Sequence, residues 1–353
     1  MTEPPVLPPF GTPRRRQRPV LGCALRLVGL ISTLWGALFF IAAVTPLNNG
    51  TAFVSAPGGQ PVWQRLVTLV VLGAWGAAAL LAGMRMRRRG RRHHVRVVRT
   101  MDEAKSHPYV LYLRPFAEDV TGRTMPEAFS RWRGVGGALV DGRSLTLEEG
   151  VCRMFRGFGR PLAVGEPDEA LPPAGSRRLY LPLRDWQPTV TSLISDARLV
   201  LLVAGTGKGT LWELTELMRL RRPESVLILL YGDREAYDGF RAAAERELNE
   251  RAEDLRQVHG PGWRPPRFPP LPGFRDPSKL KWVPLMRAVV RFGADWTPEV
   301  LLLDPTAVRA WTHEGRVRKM TRDQLAPLLD RLRSDLGGSR GRTRLTVQPV
   351  DPR

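Results

Sequence analysis

Two stretches of this chain carry no charge over a length that constrains everything else. Leu27 to Val44 (LVGLISTLWGALFFIAAV) is 18 residues long, and Leu66 to Met84 (LVTLVVLGAWGAAALLAGM) is 19. A helix rises about 1.5 Å per residue, so each stretch is about long enough to cross the roughly 30 Å hydrocarbon core of a bilayer. The segment between them, TPLNNGTAFVSAPGGQPVWQR, holds a single charge at its edge, Arg65. Two such stretches in tandem predict a transmembrane helical hairpin over 27–84. A cleaved signal peptide is the other reading of the first stretch, and the Arg-rich start fits it. The apolar run is long for a signal peptide, however, and no clean small-x-small site follows it. Gly73, Gly76, Ala77 and Ala78 give the second helix a small-residue face. That face packs either on the first helix or on another copy of the chain, as a homo-oligomer.

Charge sets the orientation. The chain has 54 Lys+Arg against 34 Asp+Glu, a formal net charge of +20. Residues 1–26 hold five Arg and one Glu, and residues 85–99 hold eight Arg and no acid. Both basic runs abut an apolar stretch. The positive-inside bias then puts both flanks in the cytoplasm. The expected location is the cell membrane, multi-pass, with cytoplasmic N- and C-termini. The Arg85–Arg99 run reads as a topology signal lying against anionic lipid head groups, a contact worth about 1 kcal/mol per basic residue. A nucleic-acid patch is the competing reading, but no aromatic residues are interleaved with the arginines, and no nucleic-acid partner is expected.

Composition narrows the rest. Two cysteines, Cys23 and Cys152, rule out a disulfide scaffold and a cysteine-rich zinc module, and five histidines leave little room for a metal site. No cofactor or metal is expected. With 43% hydrophobic residues the chain can bury a core. The divisions are a basic N-terminal segment (1–26), the hairpin (27–84), a basic juxtamembrane linker (85–105), an α/β domain (106–336) and a disordered tail (337–353). Apolar runs predict strands at Tyr109–Leu113, Arg160–Val164, Arg198–Ala204, Ser225–Tyr231 and Glu299–Leu303. Helical spacing predicts helices over 145–155, 186–196, 210–220, 234–251, 281–290 and 321–336. Residues 122–142 and the proline-rich 261–272 read as loops. Continuously apolar strands alternating with helices predict a doubly wound, mostly parallel sheet. Whether residues 232–353 complete that sheet or form a subdomain stays open.

Ligands of such sheets sit at the carboxyl ends of the strands, so the residues just past each strand are the ones to search. AGTGKGT (Ala204–Thr210) resembles the end of a phosphate-binding P-loop. The full pattern needs Gly five residues before the Gly-Lys pair and Ser or Thr after the lysine. Leu202 and Gly209 stand there instead, so the loop is too short to wrap a triphosphate. A helix N-terminus still favours an anion, with Lys208 adding charge. Trp212, Glu213 and Glu216 follow on that helix. Its acids suit the helix dipole, and Glu216 can pair with Arg219; alternatively Glu216 is a carboxylate beside a cleft. Arg114 can meet a phosphate bidentately and Asp119 can accept from a ribose hydroxyl, or both serve structural pairs. Arg177, Arg178 and Tyr180 are further candidates for the same cleft. Cys152 reads as a buried apolar filler.

The order YVLYLRPFAEDVTGR, then TSLISDARLVLLVAGTGKGTLWELTEL, then SVLILLY resembles a Toll/interleukin receptor (TIR) domain over about residues 109–231. Trp212 and Glu216 have that family's Trp-to-Glu spacing, and Ile194–Arg198 matches its helix end. The usual Ser and Cys around the tryptophan are replaced by Leu211 and Glu213, and the segment 166–188 is longer than usual. The resemblance implies a TIR/flavodoxin-like domain in a bacterial signalling or defence protein. It implies NAD as a ligand, cleaved at its ribose–nicotinamide bond in the enzymatic members, with Glu216 as the catalytic carboxylate. Such a bond breaks through a positively charged sugar carbon, which a carboxylate stabilises. A non-enzymatic scaffold at the membrane, or a domain binding a nucleotide without turnover, is the alternative.

Overall fold

A computed structural model of the protein describes residues 10–13, 15–53, 61–115, 147–165, 169–182, 184–232, 234–259, 269–273, 286–309 and 319–338. Asp119, the loop over 122–142 and the tail beyond Gly338 lie outside the described residues.

The two apolar stretches lie in longer helices, α1 (Pro19–Asn48) and α2 (Val62–Arg92). Both are long and apolar enough to cross a membrane, and only about a fifth of each apolar window is buried within the protein. Their seam is made of backbone. Gly22, Gly29 and Gly36 recur every seventh residue on α1 and face Gly90, Gly83 and Gly76 on α2. A Cβ on Gly36 would lie 2.6 Å from the Leu80 amide nitrogen, and one on Gly76 would lie 2.6 Å from that of Phe40. Of the small face expected on the second helix, Gly76 thus packs against the first. A seven-residue repeat keeps two helices in register along a shared seam. Ser32 bridges them by donating to the Ala79 carbonyl at 2.9 Å. Leu34, Trp35, Leu38, Val70, Val71 and Trp75 point away from the seam and are exposed.

The basic run is not all linker, since α2 continues through Arg92. A short helix, α3 (Met101–Lys105), follows, capped by the Thr100 hydroxyl accepting from the Glu103 amide. The sheet then runs β1 (Tyr109–Leu113), β2 (Arg160–Gly165), β3 (Arg177–Tyr180), β4 (Leu199–Val203), β5 (Val226–Leu230), β6 (Ala288–Phe292) and β7 (Pro298–Leu302). In space the order is β3-β2-β1-β4-β5-β6-β7. β1 to β5 are parallel, while β6 is antiparallel to β5 and β7 to β6.

Alternate strand residues feed two cores. Leu111, Leu113, Val200, Leu202 and Ile228 pack with α5 (Gln187–Asp196), α6 (Lys208–Leu220) and α7 (Arg234–His259). Val110, Tyr112, Leu201 and Leu227 pack with α4 (Leu147–Phe155) and α8 (Ala326–Gly338). A sheet buried on both faces explains why its strands read as unbroken apolar runs.

One expectation needs correction, and one strand was not expected. Residues 288–290 are not helical; Ala288, Val289 and Val290 are in β6, paired with Leu230, Leu229 and Ile228. The β-branched side chains of Val289 and Val290 suit a pleated surface buried on both faces, and that burial overrides the helical spacing read for this segment. The segment after Gly165 also returns to the sheet as β3, a strand of four residues and two arginines. The free edge of β3 is closed by chain from outside the domain. Gly11 bridges Tyr180 and Val97 bridges Arg178. Covering an edge this way removes a row of unpaired backbone groups.

Candidate functional site

The chain leaves β1 toward β2 and β3 on one side, then crosses back to β4 on the other. The connections therefore part between β1 and β4, the position at the carboxyl edge where sheets of this topology hold their ligands. Arg114 and Pro115 follow β1, and Ala204–Gly207 follow β4. The two loops touch: a Cβ on Gly205 would lie 2.6 Å from Cγ of Pro115. Glycine is required at that approach. Helix α6 starts at once, with Gly207 as an N-cap that offers no side chain to its first amides. Those amides and the exposed Lys208 give the loop positive potential. Thr210, one turn in, is 1% exposed, and its Oγ1 has no hydrogen-bond partner. The hydroxyl lies 3.8 Å from where a Gly205 Cβ would be. An unsatisfied buried hydroxyl is costly and rare, and this one lies under the loop at the crevice.

Arg114 belongs to a charged chain along the same edge. Its Nη2 donates to Glu169 at 2.6 Å, and the Tyr180 hydroxyl donates to the other Glu169 oxygen at 3.2 Å. Arg178, fully buried in β3, lies 3.9 Å from Glu169 and donates to Glu148 at 2.6 Å and to the Val164 carbonyl at 3.2 Å. Ser176 donates to Glu148 at 2.6 Å. Glu148 sits in the first turn of α4, where the dipole favours an acid. Burial pushes the Glu169 carboxyl up against the pull of Arg178 and Arg114. Arg178 and Tyr180 are fully buried and turn to these glutamates, while Arg177 donates to the carbonyls of Glu103 and Ala104. Glu148 and Glu169 were not legible as their partners, because only the pairing of β3 with β2 brings them within reach.

Trp212 and Glu216 lie elsewhere on α6. Trp212 packs edge-on against Trp186 at a centroid distance of 4.9 Å, at the start of α5. Glu216 is eight residues beyond Lys208, about 12 Å down the helix axis. It is 2% exposed and accepts from Thr191 of α5 at 3.2 Å and from Arg219 at 2.7 and 3.2 Å. Arg251 of α7 stands 3.9 Å away. The ion pair with Arg219 expected from the spacing is therefore present, and both carboxylate oxygens are engaged. Among the described residues, Glu216 and Arg114 share no partner.

No family model matches this chain, nor does any curated protein or solved structure. Its chemistry therefore rests on these side chains. Cys152 is buried, and that burial pushes its thiol up from the usual range. What the edge offers is an anion-favouring loop, a buried hydroxyl and an arginine held by a glutamate.

Proposed function

We propose that this chain is a multi-pass membrane protein with both termini in the cytoplasm. Its cytosolic TIR-like domain binds a nucleotide in the β1/β4 crevice. The observation that carries this is the unpartnered Thr210 hydroxyl beneath the Gly205 loop, where the strand order reverses. The strand order supports the nucleotide reading at the level of fold analogy. Read through β5, the order 3-2-1-4-5 is that of dinucleotide-binding sheets; with β3 set aside, the parallel strands follow the flavodoxin-like order. The antiparallel β6 departs from both. NAD is the ligand that the TIR resemblance implies, in a signalling or defence role.

Within this reading, binding without turnover is favoured over cleavage. Glu216 is held by Arg219 and Thr191, away from the crevice, and a catalytic carboxylate needs a free oxygen at the sugar. Incubating the full chain with NAD, and following both binding and nicotinamide release, separates the two. The full chain is needed because Gly11 and Val97 pair with β3. Saturable binding lost in Thr210→Val, without nicotinamide release, is the expected result. Release abolished by Glu216→Gln would restore the hydrolase reading. NAD and ATP both failing to bind would remove the crevice as a nucleotide site.

A further inference from the structure

Where α2 leaves the apolar stretch, a cavity of about 320 Å³ is lined by Arg15, Arg85, Arg88, Arg89 and Arg92, with Ala170 and Leu171 forming the remaining wall. We infer that this cavity is a discrete binding site for a phosphate-bearing lipid head group. The inference rests on the membrane-spanning reading above and goes beyond diffuse attraction of a basic run to a charged surface.

Spacing puts the cations together. Residues 85, 88, 89 and 92 recur at three- and four-residue steps, so four arginines share one face over two turns of α2. Like charges at that spacing repel, and among the described residues the lining holds no acid, so an anion in the cavity offsets that repulsion. The rest of the run is used differently. Arg91 turns to Glu149 at 2.8 Å, and the Arg87 side chain lies against Gly29 of α1.

The site is also assembled in advance. The Arg15 amide donates to the Ala170 carbonyl at 3.0 Å. The Arg92 guanidinium donates to the carbonyls of Leu171 and Pro172. Both sides of the cavity are thus tied to one loop of the cytosolic domain, which lowers the ordering cost of binding. Planar guanidinium forks match phosphate oxygens in pairs. Free phosphate shares that chemistry. The lipid is favoured because Arg85 directly follows the uncharged stretch ending at Met84, which sets the cavity at head-group depth.

The test uses the full chain in phosphatidylcholine vesicles, with phosphatidylglycerol titrated in and bound lipid read by native mass spectrometry. The pair Arg85→Gln/Arg89→Gln is expected to raise the half-saturating phosphatidylglycerol fraction about tenfold or more. The charge-conserving pair Arg85→Lys/Arg89→Lys is expected to lose most of the same affinity, because the forks are gone. Arg96→Gln/Arg99→Gln removes equal charge from the same run outside the cavity and is expected to stay within about twofold. Equal losses in both glutamine pairs, or full binding by the lysine pair, would overturn the proposal in favour of diffuse attraction. Displacement of the lipid by inorganic phosphate or pyrophosphate would identify a soluble anion as the ligand instead. Failure of the wild-type chain to sediment with phosphatidylcholine vesicles would strike the membrane reading, and the proposal with it.

Discussion

The hairpin and the sheet domain are packed by opposite rules. In the sheet domain, large side chains such as Leu111, Leu202, Ile228 and Phe240 are buried. In the hairpin the buried residues are mostly small, including Gly22, Gly29, Gly36, Ala43, Gly76 and Gly83 beside Leu80, and the large residues Leu34, Trp35, Val70 and Trp75 face outward. Water expels large apolar side chains into a core, and that drives the sheet together. A lipid tail is as apolar as leucine, so a helix pair solvated by lipid gains nothing from hiding leucine and associates through close backbone approach instead. The same 20 amino acids thus obey two packing codes within one chain, which fits the proposed placement of the two long apolar helices in a membrane. The two regions are nevertheless joined. Arg91 reaches Glu149 of α4, and Gln17 donates to the carbonyls of Arg92 and Val95 at 3.1 and 2.7 Å.

The comparison can be broken most strongly inside the sheet domain. Glu148→Ala strands Arg178 in the interior and is expected to cost about 3–5 kcal/mol in chemical denaturation. In the hairpin, Gly36→Leu drives a side chain into the Leu80 backbone. It is expected to cost about 1–3 kcal/mol, with thermal unfolding in detergent as the measurement, whereas Leu34→Ala on the outer face should be nearly silent there. If the outer face proved the more sensitive, the hairpin would be packed by the rules of a soluble core. At the joint, Arg91→Gln should cost about 1 kcal/mol or somewhat more and raise hydrogen exchange in α4 while leaving α1 protected.

The joint also has a pH dependence of defined sign. His93 is buried, and its Nδ1 accepts from the Arg18 amide at 3.2 Å. Burial, aided by Arg89, His94, Arg92 and Arg18, holds its pKa below the ordinary value. The folded protein therefore prefers neutral His93. Stability from this group is complete above about pH 6.5 and is lost as pH falls from there toward the lowered value. Faster proteolysis near residue 93 on acidification, abolished in His93→Gln, is the expected reading. The smallest effect belongs to the exposed pair Arg333–Asp330 of α8: Asp330→Asn should change stability by less than about 1 kcal/mol.

Much of this was legible in the residues themselves. Strands such as LVLLV at Leu199–Val203 announce burial on both faces, and the uncharged stretches announce the hairpin, because these signals are local and repeat over many residues. The pairing of Glu216 with Arg219 is a three-residue step on one helix and was equally readable. β3 was not, since four residues with two arginines carry no apolar pattern; that strand exists because β2 on one side and Gly11 and Val97 on the other supply its partners.

What the sequence alone determined is where the two long apolar helices lie, which segments are buried on both faces, and which loops end at the carboxyl edge. Only the tertiary structure decided that Arg114 answers to Glu169, that Thr210 is left without a partner, and that five arginines converge on one cavity. The physical reason is range: solvent preference and helical spacing act among neighbours along the chain, whereas ion pairs and cavities are made by residues that only the fold brings together.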